Sequence, residues 1–411
     1  MNRRGTAAPR KVPDAVLQAK YRQALARHGK GELDAAEVLY REILAQRPEN
    51  FHAMHMLGVL CAQRDDWVQA ERLLAEAVRI DPRVAAAHAN LGNALRLMER
   101  NDEALASYER ALRLQPDNTR ALKGRGLLLW KSHRREEALA SYERLLRLEP
   151  DYADGWIMKG AALNRLGRND EAIVSYRKAL AFEAVVNPDK IRYLLAALSG
   201  EAVPDASPVE YVRDLFDQYA RRFEDHLVRQ LNYRAPELLA EQLRPLLAQG
   251  IDVLDLGCGT GLCGVLLKPW ARSLTGLDVS ERMLDEARQK QVYDTLVADE
   301  ISAYLKRQTA GFDLIVAADV FTYIGDLASV FAGAQRALRP DGLFAFSTEV
   351  SQGAESRLLE SLRYSHSAAY LQRLAAEGGW RVESATRQVL REEERQDVAG
   401  HLMVLRRRVL P

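Results

Sequence analysis

Cysteine is scarce in this 411-residue chain: there are three, Cys61, Cys258 and Cys263, at spacings that suit neither a metal site nor a disulfide framework. A stapled secreted scaffold is thereby excluded, and the composition suits a reducing cytosol, so a cytoplasmic protein is expected. No run approaches the roughly eighteen uninterrupted apolar residues of a membrane span. Charge of one sign is lacking too. Lys+Arg number 58 and Asp+Glu 57, so no global field drives binding to nucleic acid or a membrane surface. The N-terminus, Met1 to Lys11, is basic but has no apolar core, which excludes a secretory signal; residues 1–16 are expected to form a disordered basic tail. His52, His55, His88 and His133 are scattered without cysteine or carboxylate companions, so no metal site is expected. At 47% hydrophobic and 28% charged the chain is an ordinary globular sequence, long enough for two or more domains.

What is present begins with a repeat. Pro48, Pro82, Pro116 and Pro150 are each 34 residues apart, and Ala36, Ala70, Ala104, Ala138 and Ala172 keep the same step. Four residues after each alanine stand Tyr40, Leu74, Tyr108, Tyr142 and Tyr176, while Gly58, Gly92, Gly126 and Gly160 mark the first helix of successive units. Small residues let two helices approach, the aromatic fills the gap to the next unit, and proline stops the second helix. A 34-residue period built this way resembles the tetratricopeptide repeat. Residues 17–186 read as five units of an α solenoid, whose concave face would bind a protein or peptide. Arg120, Lys123 and Lys131, near Trp130, form either a groove for an acidic segment or a solvated helix face. After Asn187-Pro188 the period is lost, and 187–208 reads as a capping helix and a linker.

The second half is organised around Val253-Leu-Asp-Leu-Gly-Cys-Gly-Thr-Gly-Leu262. An apolar run reads as a buried strand, and Gly257, Gly259 and Gly261 then open a helical pattern. Such glycines let the backbone turn sharply and let a ligand lie against it. Twenty-one residues past Gly257 a second strand ends in Asp278, placed in a doubly wound sheet to accept ribose hydroxyls. A nucleoside cofactor is the reading; a bare glycine turn and a NAD enzyme are the alternatives.

The spacing Asp255-x-Gly257-x-Gly259-x-Gly261 resembles that of the class I S-adenosylmethionine (SAM)-dependent methyltransferases. The resemblance implies a doubly wound, seven-stranded Rossmann-like domain over 209–411, with SAM as cofactor. It also implies that the glycines hold the cofactor, with Asp255 organising the loop or meeting the amino group, Met283 against the adenine and Asp299 at its amino group. Tyr211, Tyr219 and Phe223 share one face of a helical pattern between Tyr211 and Leu227, which reads either as plain core packing or as a lid over the cofactor. On the acceptor side the candidates are Asp319 and Tyr323, after the fourth strand, and His366 within Arg363-Tyr-Ser-His-Ser-Ala-Ala-Tyr370. His366 would be a base or substrate ligand; the alternative is a helix N-cap with packed aromatics. Taken from 17 to 411, the layout resembles a bacterial family of repeat-fused predicted methyltransferases.

The expected function is therefore SAM-dependent methyl transfer, with repeats that recruit a protein or protein-bound substrate and an unidentified methyl acceptor. Two other readings stand beside it. One is a small-molecule methyltransferase with the repeats as a docking module; the other is a SAM-binding scaffold without catalysis.

Overall fold

Small residues at a fixed step let helices between Asp14 and Leu180 pack in pairs, in a computed structural model that describes residues 12–183, 185–353, 355–393 and 395–408. The pairs are α1 (Asp14–Gly29) with α2 (Leu33–Gln46), α3 (Phe51–Gln63) with α4 (Trp67–Ile80), and α5 (Ala85–Leu97) with α6 (Asn101–Leu114). They continue with α7 (Thr119–Lys131) and α8 (Arg135–Leu148), then α9 (Ala153–Arg165) and α10 (Asn169–Leu180). A Cβ added at Gly92, Gly126 or Gly160 would come within 2.7, 2.4 and 2.7 Å of Tyr108, Tyr142 and Tyr176 on the partner helix. Tyr108 also fills the step to the next unit, where a Cβ on Gly124 would meet it at 2.4 Å. The repeat spacing thus encodes aromatic rings seated against bare backbone. Of the expected basic tail, residues 1–11 lie outside the described residues, and α1 already begins at Asp14.

Asn187 to Pro411 form a second compact unit. It opens with α11 (Pro188–Ser199) and α12 (Val209–Tyr219), followed by α13 (Ala235–Leu243). Then β1 (Ile251–Leu256), α14 (Leu262–Leu267), β2 (Ala271–Asp278), α15 (Glu281–Gln289), β3 (Thr295–Ala298), α16 (Ile301–Lys306) and β4 (Phe312–Ala317) alternate. The chain ends in α17 (Ala328–Ala337), β5 (Leu338–Val350), β6 (Ser356–Leu358), β7 (Tyr364–His366), α18 (Ala368–Glu377), β8 (Trp380–Glu393) and β9 (Gln396–Arg407). The core order is β3-β2-β1-β4-β5-β9-β8, parallel from β3 to β5 and antiparallel at β9 and β8. Seven strands match the expected doubly wound sheet. Two short extra strands, β7 parallel to the end of β5 and β6 antiparallel to β7, bring the described sheet to nine.

Neighbouring residues of one strand serve opposite cores, as a sheet covered on both faces requires. Leu254, Ile315 and Phe344 join the core with Phe331 and Leu371, whereas Val253, Leu314 and Ala345 join the core with Leu239 and Leu267. The parallel strands reverse direction of winding between β1 and β4, and a crevice opens at their carboxyl ends there.

In segment 187–208 the expected helix is present as α11. Helix α11 belongs to the second unit: Tyr193 is fully buried, its ring 6.2 Å from that of Tyr364, and its hydroxyl donates to the Leu362 carbonyl at 2.7 Å. The stretch after it is a strap held by backbone bonds, Ser207 N–H to the Tyr323 carbonyl and Gly325 N–H to the Asp205 carbonyl.

Candidate functional site

The crevice is a cavity of about 570 Å³. Its floor is the glycine loop after β1. Gly257 has φ +62°, and a Cβ there would lie 2.5 Å from Val320; Gly259 has φ +54° with only Phe223 near, at 3.8 Å. Left-handed backbone at both positions, and close approach at Gly257, call for glycine. Gly261 (φ +93°) is the N-cap of α14 and abuts Tyr293 behind the loop rather than facing the cavity. Asp278, at the end of β2, lies in the wall and accepts the N–H groups of Gly259 and Ser280, each at 2.9 Å. Burial pushes its carboxyl up to about 6, against the pull of those two bonds. Asp299 and Met283 also line the cavity. The Arg307 guanidinium beside Asp299 holds that carboxyl below its usual range. Glu300 caps α16 by accepting the N–H groups of Ser302 and Ala303.

Asp255 sits elsewhere. It is 1% exposed, accepts the Tyr293 hydroxyl at 2.6 Å behind the loop, and burial pushes it up to about 7. It therefore organises the loop's support and does not reach the cavity wall.

The aromatic segment closes the other side. Phe216, Tyr219 and Phe223 all line the cavity, with ring centroids of Tyr219 and Phe223 5.5 Å apart and of Phe216 and Tyr323 5.4 Å apart. Polar clasps tie this segment to the floor: Ser280 donates to Asp217 and Thr260 donates to Glu224, each at 2.6 Å, and Lys290 pairs with Glu224. Tyr211 is not part of the wall. Its ring lies 5.4 Å from that of Tyr193, because α12 turns that face toward α11.

After β4, Asp319 and Tyr323 line the cavity as expected from the strand end. Burial raises the Tyr323 phenol. Asp319 has φ +58°, its N–H donates to Ser347 Oγ at 2.7 Å, and its Oδ2 accepts from Arg391 Nη1 at 2.6 Å. His366 is not brought there. It is the last residue of β7, fully buried, with Nε2 2.9 Å from the Ile324 carbonyl, and burial lowers it to about 4. A ring held neutral against backbone carbonyls, out of the cavity wall, has no acceptor to serve. The cap alternative describes its neighbours: Ser367 accepts the Tyr370 N–H at 3.0 Å.

In the repeats, Arg120 and Lys123 line a depression of about 430 Å³ together with Trp67, Asn90 and Asn93. Arg120 donates to Asn90 at 2.7 Å, whereas Lys131 pairs with Glu99 and Trp130 is not in the wall.

A methyltransferase-domain family model matches residues 227–385, and three tetratricopeptide-repeat models match 27–95, 85–118 and 123–184. The chain joins tetratricopeptide repeats to a methyltransferase domain. Among its curated relatives is a malonyl-[acyl-carrier protein] O-methyltransferase of Erwinia pyrifoliae, 30% identical over 148 residues, covering 36% of this chain and 55% of that protein. Another is a ubiquinone biosynthesis O-methyltransferase of Pasteurella multocida, 29% identical, covering 33% of this chain and 62% of that one. The chain thus spans little more than half the length of these relatives. A solved S-adenosylmethionine-dependent methyltransferase from Mesorhizobium loti is 22% identical, covers 41% of this chain and 98% of that one, and has a TM-score of 0.33.

S-adenosylmethionine is the cofactor the methyltransferase domain implies, and the residues at hand fit it. Bare glycine backbone faces the cavity at Gly257 and Gly259, and the buried Asp278 beside it keeps lone pairs free for hydroxyl donors.

Three residues at the cavity carried no sequence signal that singled them out: Arg391 and Glu393 in the wall, and Glu349 behind them; Arg363, also in the wall, opens the stretch that the sequence marked for His366. Arg391 is 2% exposed and reaches Glu393, Asp319 and Glu349 with its three nitrogens. Among the described residues no helix is long and apolar enough to cross a membrane, and no group of three or more His, Cys, Asp or Glu could hold a metal ion.

Proposed function

We propose that the chain is a SAM-dependent methyltransferase whose repeats recruit a protein or a protein-bound acceptor. The observation that carries the enzymatic part is the cavity at the strand ends, lined together by glycine backbone, Asp278, Asp299, Asp319 and Tyr323. When bound, the cofactor supplies an electrophilic methyl group on a sulfonium. In this reading Gly257 and Gly259 admit it against the backbone, Asp278 accepts its ribose hydroxyls and Asp299 its adenine amino group, while Met283 packs the ring. Asp255 acts from behind, through Tyr293 and the loop. Phe216, Tyr219 and Phe223 form a lid that keeps water from the reacting centre and offers aromatic faces to a cation. The remaining work is alignment of the acceptor in line with the methyl group, together with a place for its proton, for which Asp319 and Tyr323 are the candidates.

Recruitment through the repeats rests on the depression that holds Arg120 and Lys123, suited to an acidic segment. That one relative is named for a substrate borne on an acyl-carrier protein agrees with it. A cytoplasmic setting is part of the reading, supported by three free, buried cysteines.

The test has two arms. Calorimetric titration of SAM into the protein should give micromolar binding that Asp278→Ala abolishes, with NAD silent; no binding by the folded protein overturns the enzymatic reading. Labelled methyl transfer into lysate by the full chain and by residues 187–411 then separates the acceptors. Labelling lost with the repeats supports recruitment, and labelling of small molecules retained by the fragment supports the small-molecule alternative.

A further inference from the structure

Two carboxylates fasten the segment that covers the cavity, and neither belongs to the cavity itself. In α12, Val212, Leu215, Phe216 and Tyr219 line the cavity at three- and four-residue steps, while Arg213, Asp214 and Gln218 between them are exposed. No described residue of this helix is buried. It is a cover one helix thick. Beyond it, Phe223 stands 3.8 Å from where a Cβ on Gly259 would lie. A ligand seated against that glycine cannot pass on this side unless the segment moves.

The fastenings run to both flanks of Asp278. Ser280 Oγ donates to Asp217 at 2.6 Å, while the Ser280 N–H holds Asp278 Oδ1. Thr260 Oγ1 donates to Glu224 at 2.6 Å, while the N–H of its neighbour Gly259 holds Asp278 Oδ2. Lys290, just past α15, pairs with the same Glu224 oxygen. Two longer ties to backbone accompany them: Arg213 Nε to the Val279 carbonyl at 3.3 Å, and Arg282 Nη1 to the Asp217 carbonyl at 3.2 Å. Asp217, Glu224, Thr260, Ser280 and Lys290 all lie outside the cavity wall. Their bonds join protein to protein, away from the space a ligand fills. That placement decides what they can do. A bond the ligand does not touch contributes equally to the closed form with and without ligand, so it cancels from the affinity while the closed form predominates. Opening breaks it whether the ligand is entering or leaving, so it slows both passages.

We propose that Asp217 and Glu224 are positioning residues that set how fast the cofactor and its demethylated product enter and leave the cavity, without setting how tightly they bind. This rests on the methyltransferase reading of the same cavity. The aromatic face contacts the ligand and contributes to affinity; the two carboxylates latch that face shut from the side. Asp217 grips the start of α15 and Glu224 the glycine loop, so each latch ends on a segment that also positions Asp278.

The test uses the full chain and tritiated S-adenosylhomocysteine, with Kd from calorimetry and the dissociation rate from chase with unlabelled compound. Burial, and behind it the Asp217 charge, raises the Asp278 carboxyl, so the comparison is made at pH 8, where that carboxyl is ionised with or without Asp217. Asp217→Ala and Glu224→Ala should each speed dissociation about fivefold, and the double variant about twentyfold. Kd should stay within about twofold of wild type, so association quickens by the same factors. Asp217→Asn and Glu224→Gln keep an acceptor for Ser280 and Thr260 and should recover most of the slow exchange. Gln218→Ala, on the exposed face, should change neither rate. Urea denaturation establishes that each variant folds; should the double variant not fold, the single variants carry the test. Unchanged dissociation in the folded alanine variants overturns the proposal. So does faster dissociation matched by an equally weakened Kd, which would place the latches in the ligand-bound form alone, and so does exchange in the Asn and Gln variants as fast as in the alanine ones. Failure of S-adenosylhomocysteine to bind the folded wild type, measured first, takes down the cofactor reading instead, and the proposal with it.

Discussion

On the proposed role of Asp278 at the cofactor's ribose, the affinity for the cofactor should depend on pH. Its carboxyl is pushed up to about 6 by burial in the empty site, yet it must be ionised to accept two ribose hydroxyls. With a value near 6, roughly one molecule in eleven is ionised at pH 5 and nearly all at pH 8, so the apparent Kd for SAM should be about tenfold weaker at pH 5, about 1.4 kcal/mol. Calorimetry at pH 5, 6, 7 and 8, in buffers of matched ionic strength, reads this directly. Asp278→Asn should bind weakly at every pH and lose the slope. A wild-type Kd constant within twofold from pH 5 to 8, or a slope that survives in the variant, would refute the reasoning. The stability of the empty protein should run the opposite way. Asp278 and Asp255 have folded pKa values above the unfolded one (about 6 and about 7), so each binds its proton more tightly when folded. The stability they contribute is fully present below the unfolded carboxyl value and is lost as pH rises through 6 and 7. Urea denaturation without cofactor should therefore show falling stability over that window, in contrast to rising affinity for SAM.

Two further outcomes are expected. Arg391→Met leaves Asp319 and Glu349 without their shared partner in a buried site and should cost about 3–5 kcal/mol in urea denaturation. The double variant Arg391→Met, Glu349→Gln should cost less than the sum of the single changes, and a loss under about 1 kcal/mol for the single variant would show that the network carries no strain of charge. A fragment beginning at residue 187 should melt cooperatively, whereas one beginning at 200 loses the fully buried Tyr193 and its bond to Leu362 and should be weaker by about 3–5 kcal/mol. Equal melting temperatures would mean that α11 is dispensable to the methyltransferase domain.

Some of this was legible before any coordinates. The tyrosine and glycine of each repeat are read from their spacing because the ring and the bare backbone meet within one helix pair, 16 residues apart in Gly126 and Tyr142. Gly257, Gly259 and Asp278 are legible for a similar reason: a turn needing left-handed backbone, and a strand end 21 residues later, leave local marks. His366 shows the limit of local polar density. Tyr364, Ser367 and Tyr370 around it suggested a site, but β7 pairs with β5 and β6, and that pairing buries the imidazole against the Ile324 carbonyl. Tyr211 is on the expected helical face with Tyr219, yet the partner that claims it, Tyr193, lies in a segment that reads as a solenoid cap.

By itself, then, the sequence determined the two architectures and the floor of the cofactor site, because period, glycine torsion and strand ends are short-range constraints that each segment states alone. Only the tertiary structure decided which charged groups meet around Arg391. Asp319, Glu349, Arg363 and Arg391 come from four separate segments, with Asp319 and Arg391 joined across 72 residues. Their pairing exists only once strand pairing has removed them from water together, and no single segment records that event.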